Sequence, residues 1–435
     1  MGIRRLCHDG GGSARDERKR HANLHQSGLR RISSGLCEFE EKPTTVTTIR
    51  GGAFIAGAFE HPDREITDRS VPQIHAEVAV GALADAGLSV SDVDAYFCAG
   101  DAPGFGGVSM AEYLGLRCSF IDSTEIGGSS YVAHVGHAAA AINAGKCQIA
   151  LITLAGRPRT GGSLAGVSMQ DPQAPEYNFE QRYGMTMVAG YALAARRHMY
   201  EYGTTSAQLA EVKVAASLHA QHNPNALLRQ PVTVDDVLNS PVIADPLHRL
   251  DCCVITDGGG ALVVVSPSVA RDLPRRMAKV LGHGEALKHT NNGRVDLTFT
   301  GARWSGSRAF EEAGVKPADI DYASIYDSFT ITVVESIEDL GFCKKGEGGK
   351  FVMDGALVAP DGRLPVNTDG GGLCNNHPSN RGGMTKVIEA VRQLRGESHP
   401  AVQVPDCSVA LVHGTGGSLA TRMGSATLIL GSEDA

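Results

Sequence analysis

The sequence predicts a duplicated α/β fold, in which strands and helices alternate along two copies of one unit. Two stretches carry the duplication: HAEVAVGALADAGLSVSDVDAYFCAG from His75 and GARWSGSRAFEEAGVKPADIDYASIYD from Gly301. In each, an amphipathic helical pattern ends at Ala-Gly, a turn follows, and a strand begins with Asp-Val-Asp or Asp-Ile-Asp. Two apolar runs, GGGALVVVSP from Gly258 and MGSATLILGS from Met423, also correspond. These repeats predict mostly parallel sheets covered by helices.

The composition is that of an ordinary globular protein that acts on small molecules. The chain has 435 residues, 42% of them hydrophobic, which is enough for a large core. Its net charge of -8 comes with no basic stripe beyond the first residues, so neither nucleic acid nor an anionic membrane is expected as a partner. The sequence has no apolar run of transmembrane length, and its ten cysteines show no metal-type spacing. We therefore expect reduced thiols, no bound metal and a cytoplasmic location.

Residues 1–48 stand apart from the repeats. The run MGIRRLCHDGGGSARDERKRHANLHQSGLRR has eight Arg or Lys residues against three acids and no apolar period. This pattern predicts a disordered arm. A transit peptide is an alternative, although such peptides are poor in acidic residues. Another alternative is that these residues precede the natural start of the protein.

The two copies are expected at 49–267 and 277–435, and they differ by one insertion. Residues 157–256 of the first copy have no counterpart in the second, and they include the helical patterns YGMTMVAGYALAARRHMYEYG and TSAQLAEVKVAASLHAQHN. The insertion follows the C-terminal end of a strand, where ligand-binding loops usually lie. It is therefore predicted to form a cap or a substrate-binding lobe.

A turn before the small-residue helix of the first copy has the form of a nucleophile site. The stretch STEIGGSSYVAHVGHAAAAINAG, from Ser123 to Gly145, places a Gly-Gly-Ser-Ser turn at the start of a helix, and the buried strand CQIALITLAG follows. Nevertheless, the turn contains no cysteine. His134 and His137 lie three residues apart on this helix; with no third ligand, packed or surface histidines are favoured over a metal pair.

These features resemble the thiolase superfamily, specifically the sterol-carrier-protein or lipid-transfer type. The resemblance covers nearly all of the chain beyond residue 50, and it is carried by the duplicated halves and by the motifs DCCVITDGGGALVVV, YDSFTITVVESIEDLGFCKKGEGGKFV, LPVNTDGGGLCNNHP and VALVHGTGG. It implies a five-layer αβαβα fold with the central helices Ser129–Ala144 and Met384–Leu394 back to back between two sheets. It also implies a homodimer that extends its sheets through the strand near Ile149–Leu154.

Both catalytic thiols of that family are missing. Gly128 occupies the position of the nucleophilic cysteine, and Ser328 replaces the cysteine of the His-Asp-Cys-Phe motif, which here is Tyr326-Asp327-Ser328-Phe329. Ser129 and Ser130 would need an adjacent base to act as nucleophiles; helix caps or backbone contacts are the alternative. Cys374, the thiol nearest the inferred site, is either a substitute nucleophile or part of the wall.

The resemblance also implies the residues that remain in the site. His377, in NNHPSN, matches the histidine of the family's Gly-His-Pro motif, which helps to bind the thioester oxygen. His413 takes the place of the second thiolase cysteine, as is normal in the sterol-carrier branch. With these residues we group Asn375, Asn376 and the backbone N–H groups of two turns as a site that could hold an enolate: Gly128, Ser129 and Ser130 in one, and Gly416 and Gly417 in the other.

The pattern is similar to the cysteine-less aldolases of steroid side-chain degradation, in which glycine replaces the nucleophile and Tyr-Asp replaces His-Asp. Tyr326 would then move the proton, unless it serves only in packing, whereas His377 stands where those aldolases have a second tyrosine. The expected function is carbon–carbon bond cleavage or formation, or an atypical acyl transfer, on acyl-CoA thioesters. Coenzyme A enters as part of the substrate, with no permanently bound cofactor.

Two other functions remain open at this stage. The first is a non-catalytic scaffold that binds CoA thioesters and supports a partner enzyme. The second is lipid transfer, which ranks last because a sterol-carrier domain would have to follow residue 435. Many cysteine-poor relatives work with a small OB-fold, zinc-ribbon protein, and such a partner is expected here.

Overall fold

A computed structural model of the chain describes residues 48–435 apart from 163–170, 176, 179–181, 183–185, 291–293, 379–381, 418 and 420. The predicted arm at 1–48 lies outside the described residues except for its last residue. The first copy begins with β1 (Phe54–Glu60), α1 (Val71–Ala86), β2 (Ala95–Cys98), α2 (Gly107–Leu114), β3 (Phe120–Ser123), α3 (Ser130–Asn143) and β4 (Ile149–Gly156). It continues with α4 (Met187–Tyr202), α5 (Ser206–Ala220), α6 (Val234–Leu238), β5 (Val242–Ala244), β6 (Leu247–His248), β7 (Gly258–Val265) and α7 (Pro267–Ala270).

The second copy repeats the main elements of the first without the insertion. Its first elements are β8 (Ala278–Lys288), α8 (Ala302–Ala313), β9 (Tyr322–Ile325), α9 (Thr330–Asp339) and α10 (Gly348–Phe351). It ends with α11 (Gly371–Cys374), α12 (Gly383–Arg395), β10 (Val409–Gly417) and β11 (Met423–Gly431). The predicted first copy, 49–267, ends on the first residue of α7, and the predicted second copy, 277–435, begins one residue before β8; both boundaries stay predictions.

The strand order displays the duplication. The large sheet runs β3-β2-β4-β7-β1-β8-β11-β10-β9, so the order in the second copy mirrors the order in the first. In each copy the last strand is antiparallel to both neighbours: β7 to β4 and β1, and β11 to β10 and β8. Within its described residues, the second copy has no full strand equivalent to β3. At that position there is a single parallel bridge, between Ala323 and Val366.

The two predicted sheets are joined rather than separate. β1 and β8 pair through Phe54 with Lys279 and Ile55 with Ala278, which links the halves into one nine-stranded sheet. Both strands begin their copies, so the junction lies where the two halves meet. The two sheets expected around the central helices are therefore two equivalent halves of one continuous sheet.

Three apolar clusters define the layers. An outer cluster packs α1 against one face of the first half, and a second outer cluster packs α8, α9 and the insertion helices against the second half. The central cluster contains side chains from both halves together with α3 and α12. The predicted central helices are confirmed, with α3 starting one residue late because residues 127–129 form a 3-10 turn.

The strand predicted to form a dimer cannot do so. β4 (Ile149–Gly156) pairs with β2 on one side and with β7 on the other, so neither of its edges is open. At one end of the sheet, the segment at 365–367 covers β9: Ala323 N donates to Pro365 O at 3.0 Å and Asn367 N donates to Ala323 O at 3.2 Å. Among the described strands of the large sheet, the open edge belongs to β3.

The insertion packs against the second copy. Its helix α5 carries Lys213, whose ammonium group lies 2.7 Å from Leu373 O and 3.0 Å from Cys374 Sγ. The insertion therefore contacts the loop that leads to His377. In the described part of the chain, no helix is both long and apolar enough to cross a membrane.

Candidate active site

Tyr326 and His377 form a hydrogen-bonded pair at the end of β9. Tyr326 follows the last residue of the strand, and its backbone N donates to His413 O at 2.9 Å. Its hydroxyl lies 2.8 Å from His377 Nε2, and both side chains are buried. From the sequence, these residues were predicted to face one another across a substrate. The structure brings them together, but in direct contact.

The tyrosine ring fills the space of the missing nucleophile. A Cβ atom added to Gly128 would lie 2.6 Å from Tyr326 Cζ and 2.7 Å from Tyr326 Cε2, and it would also overlap Thr415 O. Real Cβ atoms do not approach other heavy atoms so closely. Gly382 borders the other side of the ring, with a Cβ position 3.1 Å from Tyr326 Cε2. A side chain at 128 and the tyrosine ring in this position therefore exclude one another.

Burial keeps both members of the pair neutral. It lowers the pKa of His377 to about 4, because the imidazolium form loses its hydration. Burial likewise raises the pKa of Tyr326 well above its usual value near 10. At neutral pH the pair consists of a phenol and a neutral imidazole, and the tautomer of His377 decides which of them donates.

Asn376 positions the loop of His377. Its Oδ1 accepts from Thr256 Oγ1 at 2.7 Å, and its Nδ2 donates to Glu60 Oε1 at 2.8 Å. The same threonine accepts from His377 N at 2.9 Å. The predicted catalytic role of Asn376 gains no geometric support, because internal partners occupy both ends of its amide. The sequence did not identify Thr256 as a residue of the site. A threonine a few residues after a cysteine pair carries no signal of such a role.

The two serines of the turn hold its backbone. Ser129 Oγ donates to Ile126 O at 2.7 Å, and Ser130 Oγ accepts from Ile126 N at 3.0 Å. These are the backbone contacts that the sequence analysis gave as the alternative to a serine nucleophile. Residues 127–129 and the N-terminal end of α3 nevertheless lie next to Tyr326, as Gly128 shows.

The predicted turn at Gly416 and Gly417 is a strand. Both glycines belong to β10 and pair with Gly424 and Met423 of β11. Gly416 packs against the turn before α3, where an added Cβ would overlap Ile126 O. These glycines allow the turn to approach the sheet, whereas the sequence analysis expected them to bind substrate.

His413 contacts Tyr326 only through its backbone carbonyl, and its side chain points elsewhere. Ala410 and Val412 of β10 belong to the central cluster and Leu411 to the outer one, so His413 faces the outer layer by strand alternation. Its Nδ1 lies 2.9 Å from Thr427 Oγ1. Burial lowers the pKa of His413 to about 3. The predicted catalytic role of His413 is therefore not supported by its position.

The remaining candidates also have internal partners. Cys374 contacts Lys213, as described above, and burial raises the pKa of its thiol. Ser328 Oγ lies 3.1 Å from Thr332 Oγ1. His137 is held between Asp122 and Glu285 at 2.7 and 2.6 Å. Among the residues that the structure describes, no group of three or more His, Cys, Asp or Glu side chains has an arrangement that could hold a metal ion.

Comparisons with known proteins agree with this fold. A family model described as thiolase C-terminal domain-like matches residues 284–432. The chain is 33% identical to an acetyl-CoA acetyltransferase of Methanothermobacter thermautotrophicus, over 82% of this chain and 95% of that protein. It is 35% identical to a steroid side-chain-cleaving aldolase of Thermomonospora curvata, over 81% of this chain and 93% of that protein.

A solved structure gives the same result in three dimensions. The structure named Ltp2-ChsH2(DUF35) aldolase matches with a TM-score of 0.80 and 34% identity, covering 88% of this chain and 99% of that one. The chain belongs to the thiolase superfamily, and the relatives named here are enzymes that act on carbon skeletons or acyl groups. The resemblance inferred from the sequence is thereby confirmed.

Proposed function

We propose that this protein is a carbon–carbon lyase that cleaves β-hydroxyacyl-CoA thioesters by a retro-aldol reaction without a covalent intermediate. The observation that carries the proposal is the ring of Tyr326, which occupies the nucleophile position beside Gly128 and is hydrogen-bonded to His377. The aldolase names of two similar proteins support the same class. Acyl transfer through a thioester on the enzyme is disfavoured, because position 128 has no thiol and no room for one.

The proposed mechanism moves one proton through the pair. Tyr326 accepts the proton of the β-hydroxyl group while its own proton passes to His377 Nε2. The electron pair of the Cα–Cβ bond moves to the thioester, which becomes an enolate. The proton then returns through Tyr326 to the α-carbon. The products are an aldehyde or ketone and a shortened acyl-CoA, with no net gain or loss of protons.

The enolate needs a site of positive potential. The N-terminal end of α3 and the 3-10 turn at residues 127–129 lie beside the tyrosine ring, where the helix dipole favours negative charge. We assign the thioester oxygen to this end of the helix. His377 then serves mainly as the proton partner of Tyr326 rather than as the oxyanion donor that the sequence analysis expected.

Removal of the Tyr326 hydroxyl tests the function. Tyr326→Phe keeps the ring against Gly128, and we expect turnover of β-hydroxyacyl-CoA substrates to fall by about 100-fold with little change in KM. His377→Ala should cause a loss on the order of 100-fold as well. Tyr96→Phe is the matched control, because Tyr96 OH bonds Thr153 Oγ1 at 2.7 Å in the other half of the fold.

Three outcomes separate the candidates. A loss in both site variants but not in the control supports the lyase. Equal turnover in all variants contradicts it. A wild type that is inactive on every thioester, with and without an added partner, while still binding acyl-CoA favours the scaffold function. The substrate panel should include β-ketoacyl-CoA, because cleavage of that class alone indicates thiolase chemistry.

A small partner protein also belongs to the proposal. The name of the matching solved structure joins two proteins. We propose that this chain likewise works with a small protein of the OB-fold, zinc-ribbon type, with coenzyme A entering only as part of the substrate. The described cysteines are free thiols, which supports a reducing compartment such as the cytoplasm.

We further propose a homodimer through β3 in place of β4. β3 is the open edge among the described strands of the large sheet. Ile121 on this strand is exposed, and so are three apolar residues on or just before α2, which packs against β3: Phe105, Val108 and Tyr113. Pairing of two β3 edges would satisfy their backbone groups and cover this surface. Light scattering should give twice the monomer mass, and Ile121→Asp should shift it toward the monomer. A wild-type monomer at micromolar concentration would contradict the proposal.

A further inference from the structure

Asp327 ties Tyr326 to the loop of His377. Its Oδ1 accepts from Gly372 N at 2.7 Å, and its Oδ2 accepts from Leu373 N at 3.1 Å. Gly371 has a φ of +62°, and an added Cβ there would overlap Asp327 Oδ2. The carboxylate of Asp327, the residue after Tyr326, therefore fits into a turn that only glycine allows. That turn lies a few residues before His377.

Lys386 supplies the opposite charge from a third segment. It lies on the first turn of α12, which starts at the glycines beside the tyrosine ring, and its Nζ is 2.8 Å from Asp327 Oδ1. The side chains of Lys386 and Asp327 are 2% and 1% exposed. A buried ion pair adds little to stability by itself, but removal of one partner leaves the other charge unpaired. Loss of either side chain would therefore leave a buried, unpaired charge beside Tyr326 and the loop of His377.

We propose that the buried Asp327–Lys386 pair is a charge-balanced positioning device that holds Tyr326 against His377, with the two charges offsetting one another at the imidazole. This inference rests on the proposed function of Tyr326 and His377. Neither Asp327 nor Lys386 contacts the reacting atoms, so both act through the histidine. The lysine was not recognised in the sequence, where it is one charged residue in an amphipathic helix.

The two charges act on His377 in opposite directions. Burial lowers the pKa of His377, Asp327 acts to raise it and Lys386 acts to lower it. The ionisable groups that act on these residues come from several segments: Asp327 and Lys386 act on His377; Cys253, Tyr191 and Asp327 act on Tyr326; and Asp327, Asp369 and Glu60 act on Lys386. Removal of one member should therefore shift the titration of His377 in a direction that loss of packing alone does not predict.

The test follows His377 directly. The full-length protein is labelled with ¹³C at histidine Cε1, and the resonance of His377 is identified by its loss in His377→Gln. We expect Lys386→Met to raise the titration midpoint of His377 by about one pH unit or more, and Asp327→Asn to lower it. The acidic limb of the pH dependence of kcat/KM should move in the same two directions.

Further variants separate charge balance from damage to the fold. The double variant Asp327→Asn with Lys386→Met removes both charges, and His377 should titrate near its wild-type midpoint. Lys386→Arg should restore most of the turnover lost in Lys386→Met. Lys345→Met is the matched control, because Lys345 pairs with Glu338 and Asp339 on α9. It should leave the His377 midpoint unchanged.

The outcomes are distinct. Unshifted midpoints in both single variants, or shifts of the same sign, overturn the inference. If the His377 midpoint shifts in opposite directions in the two variants but the wild-type protein turns over no thioester, the inference about the charge pair holds and the proposed lyase function is wrong. If the His377 midpoint and the acidic limb of kcat/KM both rise in Lys386→Met and both fall in Asp327→Asn, the charge pair and the lyase function are both supported.

Discussion

The substitution Gly128→Ala tests the exclusion between position 128 and Tyr326. The new Cβ would lie 2.6 Å from Tyr326 Cζ and would overlap Thr415 O on β10. The strand cannot retreat, because β10 is paired along its length with β11. The ring must therefore move, and the 2.8 Å bond between Tyr326 OH and His377 Nε2 must lengthen or break.

Two effects of different size follow from that clash. Overpacking of a filled core costs about 1 to 3 kcal/mol of unfolding free energy, which lowers Tm by a few degrees. Displacement of a catalytic group by about 1 Å costs on the order of 100-fold in rate. We expect turnover in Gly128→Ala to fall about 100-fold with only modest destabilisation.

The assay measures Tm and the turnover of a β-hydroxyacyl-CoA for wild type and variant. Gly190→Ala is the matched control, since Gly190 lies in α4 and an added Cβ would meet nothing within 4 Å. That variant should be as stable as wild type or slightly more so, because alanine favours a helix over glycine by up to about 1 kcal/mol. Wild-type stability and turnover in Gly128→Ala would refute the steric argument. Gly128→Cys is expected to fail as a thiolase for the same reason.

Two further predictions concern the thiols and the buried histidines. Intact-mass spectrometry after incubation with acetyl-CoA should show no acyl adduct, since Cys374 is buried against Lys213; an adduct that disappears in Cys374→Ser would show that this cysteine is the nucleophile. Below pH 6.5 the protein should lose stability steeply, because burial lowers the pKa of five histidines to about 4 and of a sixth to about 3: His75, His134, His219, His283, His377 and His413. The unfolded chain then binds protons that the folded chain does not, at about 1.4 kcal/mol per pH unit for each group. His137 behaves differently: burial alone would lower its pKa, but hydrogen bonds to Asp122 and Glu285 raise it to about 9, so its contribution to stability is present below pH 6.5 and is lost as the pH rises toward 9. A Tm that stays constant from pH 7 to 4.5 would contradict the prediction.

Residue pattern by itself determined the architecture of this protein. The repeat between the stretches at His75 and Gly301 depends on helix and strand periods and on Ala-Gly helix ends, all of which are local. For the same reason the central helices could be placed within a residue or two. The motifs around Tyr326 and His377 also identified the two side chains that meet, because Tyr326 directly follows a strand of the second copy and His377 lies on the loop that leads into the central helix of that copy.

Tertiary structure alone decided which face each candidate presents and which partners it has. His413 begins the glycine-rich run HGTGG, but the register of β10 turns its side chain to the outer layer. Lys386 stands out only when α12 is packed against Asp327, because a lysine on an amphipathic helix is usually exposed. The edge strand was likewise misplaced: an apolar run shows that a strand is buried, but only hydrogen bonding between distant segments shows that β4 is internal and β3 is open. These contacts join residues far apart in the chain, and no local pattern encodes them.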